Sequence, residues 1–293
     1  MTPVAPESGK DLELILVPYE VERSDTGAAR SPSTLLALGF QQRLEEAAVA
    51  IHTSEVWARQ EERAERAEIV ADLGRSIARA VANARSRGRF PLVLSGGCLA
   101  AIGVVTGLQR IGRALGLIWI DAHGDFNTPE STPSGYWDGM ALAAVCGRSL
   151  PEVYKEVELR PLHYRSVAHL AGRAFDPPEI EDVRRLDLTV IPPESLCSGE
   201  ARRAIERSVG GAKEIYLHVD VDGLDPRDAP AVNFPVPNGP SLDDLIACLS
   251  GLAAPAAMTL AGLNFERVDD ERARRTVDAC ARLVASLVAR PAS

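Results

Sequence analysis

Apolar positions along the chain fall in short continuous runs separated by longer amphipathic stretches. Leu12–Val17 (LELILV), Pro91–Gly97 (PLVLSGG), Leu115–His123 (LGLIWIDAH) and Glu214–Asp222 (EIYLHVDVD) are rich in Leu, Ile and Val and barely alternate. Runs of this kind predict strands covered on both faces, because strict alternation belongs to sheets with one face in water. Between them, Pro32–Ala50, Glu61–Arg87, Cys98–Arg113 and Arg272–Ala289 carry apolar residues at helical spacing. In the second of these, Glu62 and Arg66 stand four apart on a charged face, the spacing of a solvated helix pair. Strands alternating with helices predict βαβ crossovers, hence an α/β fold with a mostly parallel sheet and helices on both faces. No repeat, low-complexity tract or long linker divides the chain, so residues 1–293 read as a single domain. The Pro-rich stretches Asp176–Glu179 and Asp225–Pro240 read as loops within it.

Composition narrows the function classes. The 293 residues carry 32 Lys and Arg against 41 Asp and Glu, a net charge of −9. An acidic chain is a poor match for nucleic acid or an anionic membrane, which need clustered cations. No apolar run approaches the roughly 20 residues that cross a bilayer. The first ten residues, MTPVAPESGK, have no basic flank leading into an apolar stretch, so secretion is not expected. The five cysteines are dispersed and include no CxxC pair, which argues against a disulfide framework or a structural zinc and for a cytoplasmic protein.

The chemistry is concentrated where strands end, the place where parallel sheets bind ligands. LGLIWI runs into Asp121-Ala-His123-Gly-Asp125-Phe-Asn127, and IYLHV runs into Asp220-Val-Asp222-Gly-Leu-Asp225. In extended backbone Asp121, His123 and Asp125 point the same way, as do Asp220 and Asp222. Unpaired buried carboxylates are too costly to be ordinary core. Carboxylates with one imidazole suit a hard or borderline cation such as Mn²⁺. Either motif alone could be a turn; two of them, each behind a buried strand, point to a metal centre. His218 lies inside its strand and reads as a core histidine, and Asp225, before Pro226, reads as a turn former.

DAHGDFN together with DVDGLDP resembles the ureohydrolase family of arginases, agmatinases and formiminoglutamases, and recognisable pieces run from about Leu94 to Glu266. The resemblance implies a binuclear manganese site, two Mn²⁺ per subunit, that hydrolyses guanidino or related C–N bonds. Asp121 and Asp220 would bridge the ions, Asp125 and Cys98 would complete one shell, and His123 and Asp222 the other. Cys98 stands in Leu94-Ser-Gly-Gly-Cys98, where the family has a histidine; its bland alternative is a small buried thiol. Asp138, in Ser134-Gly-Tyr-Trp-Asp138-Gly, stands where arginases have a proton-shuttling histidine; its bland alternative is a turn residue. Asn127 and Ser134 match positions that hold an α-carboxylate, and Asp176 and Glu179 a pair that reaches an α-amino group. Glu266, allowing a one-residue slip from Arg267, matches the glutamate that orients the guanidino group.

A thiolate at Cys98 would leave the centre one charge more negative than a neutral histidine does, and so less able to acidify a bound water. A branch of the family with this kind of replacement hydrolyses N-omega-hydroxy-L-arginine to hydroxyurea and L-ornithine in D-cycloserine biosynthesis, and this sequence resembles it most. The expected ligand is therefore a small guanidino amino acid, with neither nucleic acid nor membrane as partner. The family's trimers and hexamers imply a homo-oligomer. An ordinary arginase, an agmatinase, a formiminoglutamase using Arg267, and a non-catalytic relative remain as alternatives.

Overall fold

Alternate residues of each apolar run feed different cores, which is why the runs are continuous. In the computed structural model, Leu12, Leu14 and Leu16 pack in one hydrophobic layer with Leu35, Phe40 and Leu44. Ile15 and Val17, between them, pack in a second layer with Val70, Ile77 and Val81. Trp119 and Tyr216 enter that second layer, while Ile118, Ile120, Leu217 and Val219 enter the first. Each such aliphatic side chain taken fully out of water contributes roughly 1.5–3 kcal/mol. The structure describes residues 11–21, 23–46, 50–58, 65–112 and 114–288.

The chain order is β1 (Leu12–Val17), α1 (Ser31–Ala37), α2 (Phe40–Glu46), β2 (Ile51–Glu55), α3 (Arg66–Ser86), β3 (Phe90–Ser95), α4 (Ala100–Gln109) and β4 (Leu115–Ile120). It continues through α5 (Ala141–Val145), α6 (Pro151–Glu156), β5 (Val167–Leu170), α7 (Pro177–Leu186), β6 (Thr189–Ile191), α8 (Gly199–Val209), β7 (Glu214–Asp220), α9 (Leu242–Ser250), β8 (Ala257–Ala261) and α10 (Asp270–Val288). The strands form one eight-stranded sheet in the order β2-β1-β3-β8-β7-β4-β5-β6. Every neighbouring pair is parallel. Helices α3 to α6 supply the second layer, and α1, α2, α8, α9 and α10 the first. This is a single-domain α/β architecture with helices on both faces, as the alternating pattern implies. No helix among the described residues is long and apolar enough to cross a membrane.

Several boundaries differ from the sequence expectation. The stretch Pro32–Ala50 is two helices, because the chain turns at Gly39, whose φ of +90° only glycine adopts readily. Helix α3 starts at Arg66 behind a reciprocal cap between Glu65 and Glu68; Glu62 and its proposed pairing lie outside the described residues. Asp176–Glu179 is not a loop. Asp176 caps α7, Pro177 occupies the first turn, and Glu179 closes a capping box. Strands β4 and β7 stop at Ile120 and Asp220, two or three residues short of the expected ends. Strands β2, β5, β6 and β8 have no counterpart among the four apolar runs.

Candidate active site

Four adjacent strands in the middle of the sheet deliver the chemistry. The chain leaving β3 carries Cys98, that leaving β8 carries Gly262, that leaving β7 carries Asp220 and Asp222, and that leaving β4 carries Asp121, His123 and Asp125. Because β4 pairs with β7 in register Ile120↔Val219, the two acidic motifs emerge side by side.

Beyond Ile120 the chain is not extended, so a simple two-residue alternation does not aim these side chains. They are aimed by hydrogen bonds. The His123 amide donates to Asp121 Oδ1 at 2.7 Å, the Trp119 indole donates to Asp121 Oδ2 at 3.1 Å, and the Asp222 amide donates to Asp220 Oδ1 at 2.9 Å. Asp125 sits at φ +49°, a left-handed conformation uncommon for a side-chain-bearing residue.

Two overlapping groups of metal-competent atoms result. Cys98, Asp121 and Asp220 bring ligand atoms within 4.8 Å of one another, and so do Asp121, His123 and Asp222. Cys98 Sγ lies 3.2 Å from Asp220 Oδ2, and His123 Nδ1 lies 3.1 Å from Asp222 Oδ2. Asp121 belongs to both groups, the position a bridging ligand needs. Asp125 belongs to neither but faces the same cavity, and its Oδ2 is buried without a hydrogen-bond partner.

The electrostatics explain why this arrangement suits cations. Asp121, Asp125, Asp220 and Asp222 are all at most 7% exposed. Burial, then the charges of Asp121 and Asp220, pushes the Asp125 carboxyl well above the usual range. Burial, then Asp222 and Asp121, does the same to Asp220. The Cys98 thiol is driven well up by burial and by the carboxylates around it, Asp220 foremost. Burial opposes charge on His123, but its hydrogen bonds to Asp121 and Asp222 outweigh that and push it up to about 12. A buried cluster this negative, with an orphaned carboxylate oxygen, calls for divalent cations. The donor set fits them.

Cys98, His123, Asp125, Asp220 and Asp222 line a cavity of about 250 Å³, while Asp121 is buried out of it. Asn127, Ser134, Asp138, Asp176 and Glu179 line it too. Asn127 Nδ2 donates to Asp176 Oδ2 at 2.8 Å, so the two are already oriented toward each other. Glu179 lines the cavity and also holds backbone. Its Oε1 accepts from the Phe126 amide and its Oε2 from the Asp176 amide, both at 2.8 Å, so both oxygens hold backbone in place. Asp138 is only 5% exposed, and Oδ1 accepts from the Leu99 amide at 2.8 Å. Burial, reinforced by nearby Glu20, raises its carboxyl from 3.8 to about 6.

Glu266 is not at the cavity. Its side chain ion-pairs with Arg30 on an exposed surface, because Asn264 caps the short turn Phe265–Arg267 and carries the residue away from the end of β8. The β8 residue that does face the cavity is Gly262, at φ +74°, where a Cβ would collide with the Asp220 carboxylate. Arg267 is exposed and does not line the cavity. His218 is fully buried and stacked on Trp119 with ring centroids 3.7 Å apart, as a core histidine should be. Asp225 accepts from the Arg227 amide at 2.9 Å, a turn former.

Sequence reasoning passed over Tyr136, Asn233 and Phe234, which also line the cavity. Tyr136 sits within the motif that contains Asp138 and was open to notice. Asn233 and Phe234 lie in the Pro-rich loop before α9, with no local pattern to mark them.

A parallel α/β fold with paired carboxylate clusters at its central strand ends, beside a cavity, is the arrangement of a metal-dependent enzyme. Residues 10–289 match the model of the arginase family. The arginase of Bacillus caldovelox is 30% identical over 296 residues, covering 95% of this chain and 98% of that one. Its solved structure superposes with a TM-score of 0.85 at 28% identity, over 96% of this chain and 99% of that one. The arginase of Bacillus cereus superposes with a TM-score of 0.84 at 27% identity, over 97% and 100%. The chain belongs to the arginase family, metal-dependent hydrolases of guanidino groups.

Proposed function

We propose that this chain hydrolyses the guanidino C–N bond of an arginine-like amino acid, and that its preferred substrate is N-omega-hydroxy-L-arginine, cleaved with water to hydroxyurea and L-ornithine. Asp121 and Asp220 would bridge two Mn²⁺, with Cys98 and Asp125 completing one shell and His123 and Asp222 the other. When bound, such a pair supplies hydroxide at neutral pH and polarises the bond under attack.

The chain's own residues do the rest. Asn127 and Ser134 hold the α-carboxylate, and Asp176 accepts from the α-ammonium. Asp125 accepts a hydrogen bond from the attacking oxygen. Asp138, with its carboxyl raised to about 6, would relay a proton from the attacking water to the departing nitrogen.

The observation that carries the substrate choice is at the end of β8. Glu266, the expected clamping carboxylate, is engaged with Arg30 outside the cavity, and the residue after β8 that lines it is Gly262. A cationic guanidinium therefore lacks that clamp, whereas the less basic N-hydroxyguanidino group can bind neutral. Cys98 in the ligand cluster supports the same choice, because a more negative centre favours a substrate whose carbon is attacked more readily. The 30% identity to an arginase supports L-arginine as the second reading. The exposed position of Arg267 counts against formiminoglutamate.

Steady-state kinetics of the Mn²⁺-loaded protein on N-omega-hydroxy-L-arginine, L-arginine, agmatine and formiminoglutamate test the proposal. The expected kcat/KM for the hydroxylated substrate exceeds that for arginine at least about tenfold, ~1.4 kcal/mol of transition-state discrimination. Equal values, or preference for agmatine, refute it.

A further inference from the structure

At the end of β8 the chain offers the cavity no side chain of its own, because Gly262 stands there, and a loop brings one in. The stretch before α9 runs antiparallel against the chain leaving β8, with Val232 bridged to Leu263. The Asn233 amide donates to the Gly262 carbonyl at 2.8 Å, and the Asn264 amide to the Ala231 carbonyl at 2.9 Å. Gly262 is where a Cβ would collide with the Asp220 carboxylate. Asn233 is thereby fixed beside the candidate metal cluster, and it lines the cavity half-buried.

A relay of hydrogen bonds decides which way round the Asn233 carboxamide stands. The Glu266 amide must meet an oxygen, so it fixes Asn264 Oδ1 at 3.1 Å. That leaves Asn264 Nδ2 to donate to Asn233 Oδ1 at 3.1 Å. Asn233 Nδ2 then donates to Glu20 Oε1, also at 3.1 Å, which agrees because a carboxylate oxygen only accepts. Glu20 itself does not line the cavity. One hydrogen on Nδ2 and one lone pair on Oδ1 are left over, and neither has a partner among the described residues.

A donor and an acceptor on one carboxamide discriminate by charge state. A neutral guanidino or ureido group also presents one of each, an N–H and a lone pair, and can match both. A guanidinium carries hydrogens on every nitrogen and accepts nothing, so one of its hydrogens meets the Nδ2 hydrogen. A desolvated donor without an acceptor costs more than the bond itself contributes.

We propose that Asn233 selects a neutral guanidino or N-hydroxyguanidino group over a guanidinium, donating from Nδ2 and accepting at Oδ1. Glu20 and Asn264 are its positioning residues and keep the carboxamide from turning over. This inference rests on the hydroxyarginine reading and deepens it, since the absence of a clamp only disfavours the cation whereas Asn233 favours the neutral group.

The test uses the full-length Mn²⁺-loaded protein, with metal content and Tm measured for each variant. Calorimetric Kd values for methylurea and methylguanidinium compare planar ligands of one shape and different charge. Asn233→Ala is expected to weaken methylurea at least about fivefold while methylguanidinium moves less than about twofold. Glu20→Ala should act in the same direction more weakly, and Glu20→Gln should restore the wild-type ratio, because its amide oxygen still accepts from Nδ2. The double change Glu20→Gln/Asn233→Asp moves one negative charge onto the cavity wall while keeping net charge and hydrogen-bond partners. It should shift the affinity ratio toward methylguanidinium at least about tenfold, and the kcat/KM ratio of arginine to hydroxyarginine should rise in step. A residue that only staples the loop would move both ligands together, so parallel weakening or no change in Asn233→Ala overturns the selector. If the double variant does not fold, Asn233→Ala decides alone. Wild-type indifference between hydroxyarginine and arginine would defeat the proposed substrate, while an Asn233-dependent ratio of methylurea to methylguanidinium would still uphold the selector.

Discussion

Replacing Asp138 by Asn should make the protein more stable and much less active. The Asp138 carboxyl is 5% exposed and raised from 3.8 to about 6, with burial the largest cause and Glu20 the principal charge. A folded-state value above the unfolded one means that the native protein keeps a proton the unfolded chain has already released. Stability therefore falls as pH rises from about 4 to about 6, and the cost is fully present above that. The difference corresponds to roughly 3 kcal/mol at pH 8. Asparagine removes this cost. Its Oδ1 still accepts from the Leu99 amide, and its Nδ2 can donate to the Tyr136 oxygen, whose own hydrogen then goes to Glu20.

The gain should reach on the order of 3 kcal/mol at pH 8, a Tm increase of roughly 5 °C, and should shrink toward zero at pH 4. Asp138 feels the charges of Asp125 and Cys98 at the metal centre, so bound Mn²⁺ should pull its carboxyl down and the gain should be largest in the metal-free protein. Activity should fall about 10²-fold or more, the usual contribution of a positioned acid. Denaturant melts at pH 4, 6 and 8, alongside kcat on hydroxyarginine, measure both sides. An Asn variant less stable than wild type at pH 8, or one with undiminished kcat, refutes the reasoning.

Further outcomes follow from the metal cluster and its surroundings. Asp220→Ala should lose both manganese ions and all activity by metal analysis, whereas two retained ions with full turnover would sink the bridging assignment. Gly262→Ala should lower manganese affinity at least about tenfold, since its Cβ collides with the Asp220 carboxylate at a backbone angle that already disfavours a side chain. Glu266→Ala should change kcat and KM less than about twofold and stability by no more than ~1 kcal/mol, because it breaks an exposed ion pair. A large loss of kcat in that variant would restore Glu266 to the site.

How much of this was legible in the sequence depended on whether the signal was local. Leu12–Val17 is a strand over its expected span because its five apolar residues, interrupted only by Glu13, must be covered on two sides. β8 was passed over although it sits mid-sheet, since AMTLA in an Ala-rich stretch has no periodicity that separates strand from helix. β2, IHTSE at the sheet edge, is too polar to register as a run. In the site, Asp121, His123, Asp125, Asp220 and Asp222 announce themselves as charges behind buried strands. Glu179 carries a second role the sequence left open, because a carboxylate three residues after a helix cap reads equally as capping box or ligand until its hydrogen bonds are seen. Glu266 did mislead. One residue of slip along a turn reverses which way a side chain faces, and only the backbone after β8 reveals that Gly262 faces the cavity. Glu20 carried no signal, since its partners Tyr136 and Asn233 are 116 and 213 residues away.

On the proposed reading, two departures from an arginine-cleaving centre would act together. Cys98, as a ligand, would make the set softer and more negative, so a water bound there would be a weaker acid. Gly262 and the outward Glu266 leave a guanidinium without its clamp. Each alone would merely slow arginine hydrolysis; together they would favour a substrate that is less cationic and more readily attacked. Correcting one should therefore fall short. Cys98→His should tighten manganese and raise kcat/KM on L-arginine, yet leave hydroxyarginine preferred, because the β8 end still offers the guanidinium no clamp. The assay is manganese titration with paired kinetics on the two amino acids. No change in either quantity would make Cys98 a packing residue, and full parity between the substrates would show that the missing clamp plays no part in the choice.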